Sequence, residues 1–366
     1  MGKKLEAAQK KAEEKVKLTN EKIEELGNHT GKLYEALTEI QTLFDIIRNV
    51  PADTKLQFEK LKSTSLNWKQ QAEKIETDYN KAKAKAAGQG AAGIGAGVAV
   101  AALGPTAAMG IATTFGVAST GTAISALSGA AATNAALAWL GGGALAVGGG
   151  GMAAGNAFLA LAGPIGWAIA GASLVTSGII FLVTKMNKEK LENIFTLISE
   201  RDVRSYEAAI VELNERIQRI KNESVLLTSA IERIKTFGTD YNSMSESQQY
   251  ELGSYVNLME ASTMLLINPI LGLQPKFSEQ DFEKLCASGD DVSRRYFTGH
   301  KAMVISLANL LFKIDLDDND ISLLAKSLKK NKEFLSSVGM TKQDFGSDDI
   351  SMVEKALKFR YGLRAY

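Results

Sequence analysis

Asp315, Asp317, Asp318, Asn319 and Asp320 crowd oxygen ligands into six residues, a composition that a calcium loop would use. Such a loop needs Gly at its sixth position and Glu at its twelfth, and this chain has Asp320 and Lys326 there. The run is better read as a helix cap ahead of ISLLAKSL. Gly88-Gln89-Gly90-Ala91-Ala92-Gly93 matches the G-x-G-x-x-G dinucleotide pattern letter by letter. That pattern works only after a strand, and the preceding KAKAKAA reads as helix, which argues against nucleotide binding. There is no GK[ST] P-loop and no G-x-S-x-G elbow. His29 and His300 are far apart and read as surface or packing residues, and Cys286 is alone, so neither a disulfide nor a Cys-rich metal site is available. Nothing assembles into a catalytic constellation. The sequence reads as a non-enzyme with no cofactor and no metal.

What the sequence offers instead is a segregation of charge. The net charge of +1 and mean hydropathy of −0.04 are ordinary for a soluble protein. Yet Lys85 and Lys185 bracket residues 86–184, 99 positions with no Asp, Glu, Lys, Arg or His. All 83 charged residues lie outside that block, and 22 of the 33 glycines lie inside it. A near-neutral chain has no basic field for nucleic acid. The amino terminus, MGKKLEAAQKKAEEKVK, is charged with no apolar core, so it is not read as a signal peptide.

The flanks carry helical periodicity. Val16, Ile23, Leu26, Leu33, Leu37, Ile40, Phe44 and Ile47 step by threes, fours and sevens, predicting one long helix over residues 1–50 that breaks at Pro51. A second helix is predicted over 53–87, with Leu61, Trp68, Ile75 and Tyr79 on its stripe. A third, over 188–237, carries the longest heptad run: Tyr206, Ile210, Leu213, Ile217, Ile220, Leu227, Ile231 and Ile234. An antiparallel bundle with the uncharged block at one end is the simplest packing. Beyond it, FGTDYNSMSESQQYELGS reads as a polar linker, followed by several shorter helices. The fold expected is all-α: an elongated bundle of long amphipathic helices, a Gly/Ala-rich hydrophobic hairpin region and a small helical C-terminal domain. The divisions are 1–85, 86–184, 185–240 and 241–366.

The block is long enough for four membrane segments of about 20 residues. Gly104-Pro105, Gly141 to Gly143, Gly148 to Gly151 and Gly163-Pro164 punctuate it. The best candidate span is Ala157–Val183, which includes Pro164, Trp167 and Phe181. Trp139 and Trp167 suit an interface. Gly93 and Gly97, and Gly149, Gly151 and Gly155, offer the small surfaces that let helices approach closely. Lys81, Lys83 and Lys85 before the block, and Lys185 and Lys188 after it, can reach headgroups from its edges. Ala/Gly helices insert weakly and also fold weakly in water, about 1 kcal/mol per glycine against alanine. That marginality suits a segment that is soluble first and membranous later.

A long amphipathic helix, an uncharged Gly/Ala region and a second long helix resemble the plan of α-helical pore-forming toxins of the cytolysin A type. GGGALAVGGGGMAAG also resembles the glycine-rich hairpins of apolipoprotein-L-like proteins. The likeness covers roughly residues 1–237. It implies a membrane-inserting toxin or defence effector, made soluble in the cytoplasm and acting at its own inner membrane or that of a target cell. The partners it implies are the lipid bilayer and further copies of the chain on the membrane, with a regulatory or immunity protein at the C-terminal domain. The alternative is a constitutive membrane scaffold, with coiled coils on a cytoplasmic face marked by the flanking lysines.

Overall fold

The computed structural model describes residues 3–88, 105–116, 185–274, 276–288, 291–330, 334–335 and 338–362. The expected all-α architecture is observed, and no strand forms among these residues. Three helices are long: α1 (Lys3–Asp45), α2 (Ala52–Gly88) and α4 (Lys185–Ile234). A short one, α3 (Pro105–Phe115), comes from the uncharged block. α5 (Glu246–Ile267) follows the long helices, then α6 (Glu279–Ser288), α7 (Asp291–Gly299), α8 (Lys301–Leu311), α9 (Asp318–Leu328) and α10 (Ser347–Tyr361).

The heptad stripes become the core. Ile23, Leu26, Leu33, Leu37, Ile40 and Phe44 of α1 and Ile47 in the turn after it are buried, as are Leu61, Trp68 and Ile75 of α2. On α4 all the expected stripe residues from Leu213 onward are buried; Ile210 is half-buried and the smaller Ala209 takes the inner position. α1 ends in a turn where Asn49 takes a positive φ of 61°, a conformation that Asn tolerates better than most residues. Pro51 then precedes the first turn of α2.

Direction alternates from α1 to α2 to α4, which makes α1 and α4 parallel. Their ion pairs fix the register. Lys11 meets Glu207 at 3.6 Å, Glu25 meets Lys221 at 3.5 Å and Glu39 meets Lys235 at 3.1 Å. Each step along either helix is two heptads, so the pair keeps a 3.5-residue repeat as a parallel coiled coil does. At the far end the Arg48 backbone pairs with Thr239 and Tyr241. α2 runs antiparallel to α1, with Phe44 stacked on Phe58 and Lys62 on Asp45 at 2.6 Å. α5 runs antiparallel to α4, tied by Arg233–Glu251 at one end and by Arg216 to the Leu265 carbonyl at the other. The C-terminus of α2 and the N-terminus of α4, the two edges of the uncharged block, therefore lie toward the same end of the bundle.

A polar linker was expected over 237–254, but its second half is the start of α5. Ser245 accepts from the Gln248 backbone, and the Gln248 side chain accepts from the Ser245 backbone. That reciprocal cap starts a helix within a polar stretch. Asp317 and Asp320 form the same cap at the start of α9, so the acidic run serves the helix terminus as expected.

Two hydrophobic cores result. The first is shared by α1, α2, α3, α4 and α5. The second gathers α6 to α10 around Leu5 of α1 and Leu191, Ile194, Phe195 and Ile198 of α4. Residues 244–273 thus pack with the long helices, and the second core draws on the chain from Phe277 onward.

Candidate functional site

The feature that joins the uncharged block to the charged bundle is α3. Its sequence, PTAAMGIATTF, has no charge, and Pro105 starts it where a missing N–H is harmless. Residues 110 to 115 are all buried, so the C-terminal half of the helix is enclosed on every face, while Pro105 at its start is exposed. A helix of that kind belongs in a protein interior or a bilayer. Here the enclosure is made by α1, α2 and α5.

Glycines set the contact with α1. A methyl group at Gly27 would stand 1.7 Å from the Thr106 carbonyl oxygen, and one at Gly110 would stand 2.0 Å from the Ile23 carbonyl oxygen. The two backbones therefore touch through reciprocal glycines. Gly31, one turn beyond Gly27, faces the Met109 sulfur, which a Cβ would meet at a tight 3.2 Å that the flexible thioether can relieve by shifting. Gly27 and Gly31 are the small-xxx-small signature inside a helix otherwise rich in good helix formers. They weaken α1 by about 1 kcal/mol each against alanine, and the close crossing at Gly27 is the structural return.

Polar contacts hold the other faces. Trp68 of α2, fully buried, donates from Nε1 to Thr113 Oγ1 at 3.2 Å. The Thr114 carbonyl accepts from the Ile270 backbone at 2.8 Å and from Gln274 Nε2 at 3.3 Å. The last carbonyls of a helix have no partner within it, so such outside donors satisfy them. Gly116 follows at φ 76°, against the Ile267 carbonyl and Pro269.

Comparison of the chain with family models, curated proteins and solved structures returns no match.

A second polar constellation lies where the two cores meet on α4. Arg201 and Asp202 are buried neighbours, with Arg201 Nε and Nη2 donating to Asp202 Oδ1 at 2.9 and 2.8 Å. Arg201 Nη1 also donates to the carbonyls of Leu310 and Phe312. Burial raises the Asp202 carboxyl above its usual range, against the pull of Arg201. Burial, and then the nearby Arg201, lowers the Lys276 ammonium. This is a structural joint between the two cores.

Of the residues singled out from sequence, Gly93, Gly97, Trp139, Gly141, Gly143, Gly149, Gly151, Gly155, Pro164, Trp167 and Phe181 lie outside the described residues. Lys81, Lys83 and Lys85 sit in the last turns of α2, Lys185 opens α4, and Lys188 follows, half-buried. His29 is half-buried beside Lys221; burial first, then that charge, lowers its imidazole. His300 stacks on Tyr296 with centroids 4.6 Å apart. Among the described residues no cluster of His, Cys, Asp and Glu could hold a metal. One stretch among them, Glu246–Leu273, is long and apolar enough to cross a membrane. It comprises α5 and the turn after it, whose apolar residues line the first core. Sequence reasoning missed α3 and its cradle. The available signal was the pair Gly27 and Gly31 at a four-residue spacing, standing against the helical pattern of α1.

Proposed function

We propose that this protein is a membrane-inserting, permeabilising effector held in a soluble bundle until its uncharged block is released into a bilayer. The observation that supports this reading is α3. A charge-free helix is packed among α1, α2 and α5 through a close glycine crossing. The groups it buries there, Ala108, Ile111, Ala112 and Phe115, are apolar and uncharged, so a hydrocarbon environment could take them up in place of the bundle. At about 1.5 Å per residue α3 is only about 16 Å long, half a hydrocarbon core, so it crosses as part of a longer stretch of the block. The inserted segments would then meet other copies of the chain through their glycine faces, with regulation by a partner at the second core.

The test is dye release from liposomes of stepped anionic-lipid content, using a reversible lock. Gly31→Cys with Met109→Cys, in a Cys286→Ala background, places two thiols across the α1–α3 contact. Once oxidised, with the crosslink verified by mass, the protein should not release dye, and reduction should restore release. Equal leakage from the locked and reduced forms would refute α3 release. A reduced form and parent chain that never leak, over the range of pH and lipid, would refute permeabilisation.

A further inference from the structure

The chain between the two cores is anchored at three places, and one of its anchors is α3. Ile270 and Leu273 are buried in the first core, and Phe277, a few residues on, is buried in the second. On the α4 side, Glu212 accepts from the backbone of Leu271 at 2.8 Å and Gly272 at 3.0 Å. Arg216 donates to the carbonyls of Leu265 and Asn268 at 2.8 and 2.7 Å. Gly272 lies against Ala209, where a methyl group would come within 3.0 Å of its backbone. On the second-core side, Asn309 of α8 accepts from the backbone of Lys276 and Phe277 at 2.8 and 3.2 Å and donates to the Phe277 carbonyl at 2.8 Å. Tyr361 of α10 donates to the Lys276 carbonyl. Between these anchors, Ile270 and Gln274 supply the donors to the Thr114 carbonyl at the end of α3.

We infer that residues 268–274 and 276–277 form a strap by which the second core holds α3 in the bundle, so that an event on α8 or α10 is transmitted to the uncharged helix. The inference rests on the reading of α3 as a stored membrane segment. The strap's physical action is to satisfy the Thr114 carbonyl. If the strap shifts, a buried acceptor at the C-terminus of α3 loses its donors, and the docked helix is disfavoured against the released one. The device needs no long-range wire, because the backbone of Lys276 and Phe277 that touches Asn309 lies a few residues from the Ile270 backbone and the Gln274 side chain that touch Thr114. Glu212 and Arg216 stiffen that stretch by pairing the N–H groups of Leu271 and Gly272 and the carbonyl of Asn268 to one rigid helix.

The experiment is hydrogen exchange of the full chain in solution, without lipid, read over residues 105–116. Glu212→Gln weakens the middle anchor and Asn309→Ala removes the Asn309 part of the second-core anchor, leaving the Tyr361 bond. Glu251→Gln, which touches Arg233, Tyr255 and Ser247 at the far end of α4 and α5 and nothing in the strap, serves as control. Both strap variants should speed exchange of α3 by about tenfold or more, while the control leaves it unchanged. Tyr361→Phe, a milder change, should shift it in the same direction and covers the case in which Asn309→Ala disturbs the second core. Faster exchange over 270–274 with unchanged exchange over α3 would overturn the strap. Because no membrane is involved, faster α3 exchange without any dye release would instead remove the proposed permeabilising function and leave the strap standing.

Discussion

Gly27→Ala and Gly110→Ala each place one methyl group where the two backbones of α1 and α3 touch. The new carbons would lie 1.7 Å from the Thr106 oxygen and 2.0 Å from the Ile23 oxygen. Neither neighbour is a flexible side-chain tip, so relief requires the helices to part by about 1.5 Å, a gap that forfeits most of the dispersion energy across the contact. In an open helix the same change is favourable by about 1 kcal/mol. At this crossing, overpacking of about 3 kcal/mol outweighs that gain, leaving each variant about 2 kcal/mol less stable in the docking of α3. The two methyl groups act on one gap, so the double variant should cost little more than either single one, a coupling of about 1–2 kcal/mol. Gly253→Ala on α5 is the control, since nothing lies within 4 Å of its new methyl group and it should stabilise. The assays are urea unfolding and the fluorescence of Trp68, isolated by Trp139→Phe and Trp167→Phe. A loosened α3 should expose Trp68 and shift its emission to the red. If either variant at the crossing stabilises as Gly253→Ala does, or if the double variant is strictly additive, the reciprocal contact is wrong.

Thr113→Val should cost about 1–3 kcal/mol in urea unfolding, because it leaves the buried Trp68 N–H without its acceptor. Arg201→Met should cost about 3–5 kcal/mol, since it leaves the Asp202 carboxylate buried without its cation; Arg201→Met with Asp202→Leu should recover most of that loss in the same melts. Acid should weaken the Lys22–Glu25 pair within α1 and the α1–α4 ion pairs beside it. Lys22, then Lys221, holds the Glu25 carboxyl below its usual range, and Lys15 does the same for Glu207. Their contribution is therefore present above the ordinary Glu value and is lost as pH falls below about 4. Asp202, raised by burial, acts in the opposite sense, its contribution being present in acid and lost as pH rises through its folded value. A pH series of urea midpoints should show a smaller acid loss in Glu25→Gln with Glu207→Gln, and the reasoning fails if that limb is unchanged.

The long helices, their stripes and the segregation of charge were legible in the sequence, because each is a one-dimensional pattern. Periodicity places Ile23 to Ile47 and Leu213 to Ile234 on inward faces whatever they meet. Caps such as Asp317 with Asp320 depend on neighbours three residues apart, and so they too could be read directly. Which helix meets which was not legible. Heptads on α1 and α4 fit either direction, and only the recurrence of ion pairs at a constant offset makes the pair parallel. The fate of PTAAMGIATTF was equally open, since an uncharged helix can be satisfied by lipid or by protein. The tertiary structure decided for protein, through a contact between Gly27 and Gly110 that are 83 positions apart. A glycine's partner is a gap in its own outline, and a gap carries no sequence signature until another backbone fills it.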